Sequence, residues 1–125
     1  MLKLVYGVRR RADISEEEFH RYWLEDHGPL VKSVAKDIGA IRYVQSHTVV
    51  PELNASIQAG RGFLQAFDGI TEVWYESLET MQGNRDDPAR QEAGCKLFED
   101  EAKFIDFPNS MVVMTEEHEI FDYSD

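Results

Sequence analysis

The chain predicts an α+β fold of the split βαβ, ferredoxin-like type, with an antiparallel sheet and both helices on one face. Three observations carry this. Four stretches alternate apolar and polar residues with a period of two, as half-buried strands do. Two longer stretches carry helix start signals and a helical apolar stripe. Their order along the chain is strand, helix, strand, strand, helix, strand.

The first strand is carried by Leu2, Leu4, Tyr6 and Val8, alternating with Lys3, Val5, Gly7 and Arg9. Gly7 inside it marks a bulge or a close backbone approach. The stretch Arg10–Val34 follows as the first helix. Ser15 is its N-cap, and Glu18 three residues on completes a capping box. Glu16 and Glu17 place negative charge at the positive end of the helix dipole. Phe19, Tyr22, Trp23, Leu30 and Val34 recur at helical spacing and make one face apolar and aromatic. Pro29 has no N–H and clashes with the carbonyl of Glu25, so a kink or restart is expected at His27-Gly28-Pro29. The second half runs from about Pro29 to Asp37, and Gly39 stops it.

The second strand is expected over Ile41–Val50, with Tyr43, Gln45 and His47 on one face and Arg42, Val44 and Ser46 on the other. Pro51–Phe67 shows no clean period and is expected as a long loop, with one helical turn near Leu53–Ala59. Phe63, Leu64 and Phe67 are costly to leave in water, so part of this loop is expected to pack as a lid or interface arm. Asp68-Gly69 opens the third strand, Ile70–Tyr75, with Glu72 and Trp74 on one face and Thr71, Val73 and Tyr75 on the other. Ser77 caps a short helical turn, which Gly83-Asn84 breaks. Asp86 or Asp87 caps the second long helix with Pro88 just inside, and its stripe runs through Ala89, Ala93 and Leu97 to about Phe104. Phe107–Ser110 is a turn. The last strand is expected over Met111–Phe121, and Asp122–Asp125 is a polar tail.

At 125 residues the chain is expected to form a single domain over 1–125. The open sheet face needs a cover, and a second copy packed sheet against sheet is the simplest one, so a homodimer is expected. A formal net charge of −11 argues against nucleic acid and against an anionic membrane surface. No apolar run approaches the ~18 residues of a membrane span. The N-terminus lacks a signal-peptide pattern, and the single cysteine, Cys95, forms no internal disulfide. A cytoplasmic protein is the resulting expectation. The histidines stand at 20, 27, 47 and 118, with no HxxxH or CxxC spacing, so no metal is expected. His20 and His27 lie roughly 10 Å apart by helix rise. No Gly-rich phosphate loop is present, so no nucleotide cofactor is expected.

The sequence resembles the EthD family of dimeric α+β barrel proteins. The resemblance rests on RRADISEEEFHRYWLEDHGPLV (10–31), IRYVQSHTV (41–49), FDGITEVWYESLETM (67–81) and DEAKFIDFPNSMVVMTEEHEIF (100–121). It implies the same split βαβ fold as a dimer. It also implies kinship with cofactor-free polyketide cyclases and monooxygenases, muconolactone isomerases and haem-handling enzymes. Some fungal relatives resemble decarboxylases or dehydratases of aromatic polyketides.

Site candidates are the residues at the joint of the first helix and on the strands beneath it. His27 can exchange a proton near neutral pH, as enolisation, cyclisation or dehydration requires; alternatively it caps the broken helix. Tyr43 and His47 share a strand face, where Tyr43 can donate to a developing oxyanion. Glu72 is a base if desolvated, or else an ion-pair partner. His20 and His118 are expected at the surface. Tyr6, Trp23, Gln45, Phe63, Phe67 and Trp74 are candidate substrate contacts. The expected function is a cofactor-free enzyme of lyase, isomerase or monooxygenase type acting on an aromatic or unsaturated carbonyl compound. The alternative is a binding or accessory protein that holds a hydrophobic intermediate or haem, the latter through His27 or His47.

Overall fold

The computed structural model describes residues 1–83 and 85–125. Its elements are β1 (Leu2–Val8), α1 (Glu16–Tyr22), a π turn (Trp23–His27), α2 (Gly28–Val34), β2 (Arg42–His47), α3 (Pro51–Arg61), β3 (Gly69–Tyr75), α4 (Leu78–Gln82), α5 (Pro88–Glu101), a 3₁₀ turn (Phe107–Asn109) and β4 (Met111–Thr115). The four strands form one sheet in the order β2-β3-β1-β4. Every pairing is antiparallel. The α+β, ferredoxin-like reading of the sequence therefore holds.

Register decides which side chains share a face. Tyr6 pairs with Thr71 and Val112, and Thr71 pairs with Gln45. The next row is Tyr43, Val73, Leu4 and Met114, and beyond the first lie His47, Gly69 and Val8. These rows face the helices. Alternate residues make the opposite face, so Glu72 stands beside Val44 and Val5, and Trp74 beside Arg42 and Lys3.

The core sits where α1 and the π turn meet the last residue of β1 and the chain just after α5. Val8, Phe19, Trp23, Phe104 and Ile105 are buried there, with Tyr6, Ile14 and Tyr22 packed against them. Ser15 caps α1 by accepting from the Glu18 backbone N–H at 3.1 Å. The Glu18 carboxylate does not close the expected capping box; it pairs with Arg21 instead. A capping box does form at α4, between Ser77 and Thr80. Asp87, not Asp86, caps α5.

The expected interruption at His27-Gly28-Pro29 is present: α2 starts at Gly28 with Pro29 in its first turn. It takes the form of a π turn, with the Gly28 N–H bonded to the Trp23 carbonyl. Three expectations change. The segment expected as a loop holds the eleven-residue helix α3, started by Pro51 and ended by a left-handed Gly62. None of its residues is buried, and Leu53 and Ile57, one helical turn apart, are too few to mark a core-facing stripe. The last strand ends at Thr115 rather than Phe121, because β1 pairs only as far as Lys3 with Thr115. The second strand is shorter at both ends than Ile41–Val50. The expected break at Gly83-Asn84 falls partly outside the described residues.

Gly69 explains how Trp23 reaches the sheet. A Cβ at Gly69 would lie 2.3 Å from the indole Cζ3 of Trp23 and 3.0 Å from the Ser46 carbonyl. The missing side chain is the socket for the largest buried residue. Gly7 is a similar close approach on the other sheet face, beneath the ring of Phe67 at 3.1 Å. Gly69→Ala is expected to overpack this contact and destabilise the fold by about 1–3 kcal/mol in urea unfolding. Unchanged stability would show that Trp23 is not seated there.

Candidate functional site

A cavity of about 270 Å³ lies between the helices and the sheet. Its wall is mostly apolar, with Leu4, Val31, Ile38, Val73, Leu97 and Val112. The polar groups that reach it are His27 from the π turn, Tyr6, Tyr43, Thr71 and Tyr75 from three strands, and Glu101 from α5. An apolar cavity with a few convergent titratable groups is the form of a small-molecule site.

His27 is buried, and its Nδ1 lies 2.7 Å from Oδ2 of Asp100. The other Asp100 oxygen accepts the Tyr22 hydroxyl, and Lys103 Nζ stands 3.5 Å from it. Burial pushes the His27 pKa below 6.5, against the opposing pull of Asp100. Burial would raise the Asp100 carboxyl, but hydrogen bonds from Tyr22 and His27 outweigh it and hold the group below the ordinary carboxylate value. Asp100 is thus an anion and accepts the Nδ1–H of a neutral imidazole. The basic lone pair of His27 is then at Nε2. Glu101 is pushed the other way: burial raises its pKa, opposed by a hydrogen bond from Tyr6 and reinforced by the charge of Asp100.

A second cluster stands on the sheet side. The Gln45 amide nitrogen donates to the Trp23 carbonyl at 2.7 Å and to the Tyr43 hydroxyl oxygen at 2.9 Å. Its amide oxygen meets His47 Nε2 at 2.8 Å. His47 Nδ1 lies 2.9 Å from His20 Nδ1, and the His47 ring stacks on Trp23 at 4.5 Å. Burial, then the neighbouring His20, pushes the His47 pKa down.

The structure brings only some of the expected site residues together. His27, Tyr43, Tyr6 and Trp23 border the cavity. His47 does not border it, and its ring nitrogens are engaged by His20 and Gln45. Gln45 lines a separate outer groove beside β2, with Tyr43 and Val31 common to both walls. Glu72 and Trp74 lie on the opposite face of the sheet, because strand parity separates them from Thr71 and Val73. Glu72 pairs there with Lys3 at 2.6 Å. Trp74 sits under the Arg42 guanidinium and donates to Glu117 at 2.6 Å. Phe67 packs under Arg9, and Phe63 is half exposed beyond α3. His20, expected at the surface, is instead the outer partner of His47.

Asp100 and Glu101 were not among the expected site residues, yet they hold and face the cavity. The α5 stripe Ala93–Leu97 continues at spacing four and three to Glu101 and Phe104, so a carboxylate occupies an apolar position. That interruption was the available signal. Haem does not fit this arrangement. His47 has no free nitrogen for iron. His27 borders a cavity of about 270 Å³, too small to enclose a haem. Among the described residues, no group of three His, Cys, Asp or Glu side chains is placed to hold a metal ion.

Because burial depresses its pKa, His27 is neutral in the fold at pH values where the unfolded chain already binds a proton. Its contribution to stability is therefore expected to fall as pH drops below about 6.5 and through the folded-state value. His27→Gln should flatten that part of a urea stability–pH profile. An unchanged slope would show that the imidazole is not held neutral.

A family model described as the EthD domain matches residues 11–108. Among solved structures, an EthD-family protein from Bacillus halodurans superposes with a TM-score of 0.61 at 17% identity, covering 94% of this chain and 99% of that one. A dimeric ferredoxin-like protein of unknown function from Bacteroides fragilis has a TM-score of 0.58 at 12% identity, covering 93% and 95%. A candidate antibiotic biosynthesis monooxygenase from Deinococcus radiodurans has a TM-score of 0.52 at 12% identity and covers both chains in full.

Proposed function

This chain belongs to the EthD family, and we propose that it is a cofactor-independent enzyme that enolises an aromatic or unsaturated carbonyl compound. The observation that carries this reading is the buried His27–Asp100 pair at the cavity wall, 2.7 Å apart. His27 Nε2 takes the proton from the carbon next to the carbonyl. Tyr43 donates a hydrogen bond to the oxygen on which charge develops. The C–H electron pair becomes the enolate π bond, and the carbonyl π pair moves to oxygen.

From the enolate, two outcomes need no other reagent. The imidazolium returns its proton to a different carbon, which is isomerisation. Otherwise it protonates a hydroxyl that leaves as water, which is the lyase outcome. A monooxygenase outcome requires dioxygen to meet the same enolate. The likeness to the Deinococcus protein supports keeping that branch beside the other two. Proton transfer from carbon is common to all three.

A panel of phenolic and enolic carbonyl compounds in D₂O tests the reading, with deuterium uptake at the α-carbon followed by NMR. His27→Gln is expected to lower the rate about 10²–10⁴-fold. Asp100→Asn should lower it less, by removing the anion that fixes the tautomer. A stably folded His27→Gln protein with undiminished exchange would eliminate His27 as the base. A ligand held without exchange or turnover would favour the binding role instead.

The protein is further proposed to be a homodimer joined through the open sheet face. That face exposes Val113 and Met111, at 43% and 44%, beside Val5 and Ile70. Two of the similar solved structures are described as dimeric, which supports this. Among the described residues no helix is long and apolar enough to cross a membrane. The exposed, unpaired Cys95 supports a reducing, cytoplasmic setting. Sedimentation is expected to give twice the 14.4 kDa chain mass, and Val113→Asp should shift it toward the monomer. A monomeric wild type would dismiss the interface.

A further inference from the structure

The hydrogen bonds behind Tyr43 determine one another from a single anchor. The Trp23 carbonyl can only accept, so the Gln45 group 2.7 Å from it must be the amide nitrogen. The amide oxygen then faces His47 Nε2, which must carry a hydrogen. A neutral His47 leaves Nδ1 as an acceptor, so His20 donates to it from its own Nδ1. The second amide hydrogen of Gln45 goes to the Tyr43 oxygen. That oxygen is now an acceptor within the protein. What Tyr43 has left is its hydroxyl hydrogen, for the cavity or for the Thr71 hydroxyl that lines it beside Tyr43.

We propose that His20, His47 and Gln45 are positioning residues that hold Tyr43 as an obligate hydrogen-bond donor, so that the cavity selects ligands presenting a carbonyl or enolate oxygen to it. His47 and Gln45 act through Tyr43 and do not touch the ligand. The anchor is a backbone group, which no side-chain rotation can reverse. The Trp23 carbonyl takes the Gly28 N–H and the Gln45 amide together. The His47 ring is held by its stack on Trp23, and His20 by its contact with Phe19 at 5.3 Å. The chain thus runs from the half-buried His20 to the cavity along one side of the π turn. The selection follows from unequal costs. A ketone oxygen satisfies the Tyr43 hydrogen, whereas a methylene in its place offers no acceptor and leaves that hydrogen to the neighbouring Thr71 hydroxyl.

The inference rests on the reading of this cavity as the ligand site, and binding rather than turnover tests it. The probes are acetophenone labelled with ¹³C at the carbonyl, and ethylbenzene, which has the same outline without the oxygen. Wild-type protein is expected to bind acetophenone about tenfold more tightly and to lower its carbonyl stretch relative to an alkane solution. Tyr43→Phe should abolish both effects. Gln45→Glu should do the same with the phenol intact, since a carboxylate turns the Tyr43 hydrogen away from the cavity. His47→Phe keeps the stack on Trp23 but has no N–H for the Gln45 oxygen, and should lose most of the stretch shift; His47→Gln should restore it.

If Gln45→Glu does not fold, Gln45→Met and the His47 pair decide. Retention of the wild-type preference and stretch in Gln45→Met and His47→Phe would overturn the positioning role while leaving the cavity reading intact. Failure of both probes to perturb NMR signals of cavity residues in the wild type would overturn the cavity reading and this inference with it.

Discussion

The widened turn at Trp23–His27 is the constraint on which the site depends. An α-helix would commit the Trp23 carbonyl to the N–H of His27. Here the bond skips to Gly28, and the carbonyl has room for the Gln45 amide as well. The same turn keeps Trp23 and His27 both on the buried side, while Leu24, Glu25 and Asp26 face out. Pro29, with no N–H to give, supplies a reason for the ladder to slip just before it. One backbone irregularity therefore joins the base of the cavity to the hydrogen-bond network of β2.

Two polar assemblies flank that turn, and each is built so that a ring presents one defined atom. On the α5 side, Asp100 takes the Nδ1 hydrogen of His27 and leaves Nε2 basic. On the sheet side, Gln45 takes the acceptor capacity of Tyr43 and leaves its hydrogen. A base and a donor facing one apolar space are what carbonyl enolisation needs. Burial makes both assemblies stringent, because an unmatched polar atom there has no water to turn to.

Legibility in the sequence was uneven, for reasons visible in single residues. Pro88 after Asp87, and Ser15 before a run of glutamates, marked helix starts because capping is chemistry within four residues. Helix α3 is hard to read because none of its residues is buried, and the half-exposed Leu53 and Ile57 alone do not mark a core-facing stripe. Glu72 was assigned to the site on residue type, although its alternation with Thr71 and Val73 was plain. What was lacking was which face of β3 meets the helices. His47 looks like a ligand contact in the sequence because an imidazole on a strand reads the same whether its nitrogens are free or engaged.

The sequence by itself determined the order of the four strands and of the helices other than α3, the antiparallel sheet and the marked position of His27-Gly28-Pro29. These follow from local preferences and from periodicity, which need no partner to be expressed. Only the tertiary structure decided that Asp100 meets His27, that Gln45 stands between His47 and Tyr43, and that Gly69 receives the indole of Trp23. Asp100 with His27 and Gly69 with Trp23 join residues far apart in the chain, and Gln45 is turned between its two strand neighbours by the distant Trp23 carbonyl. Each turns on a register or a turn width, where a shift of one residue moves a side chain to the other face.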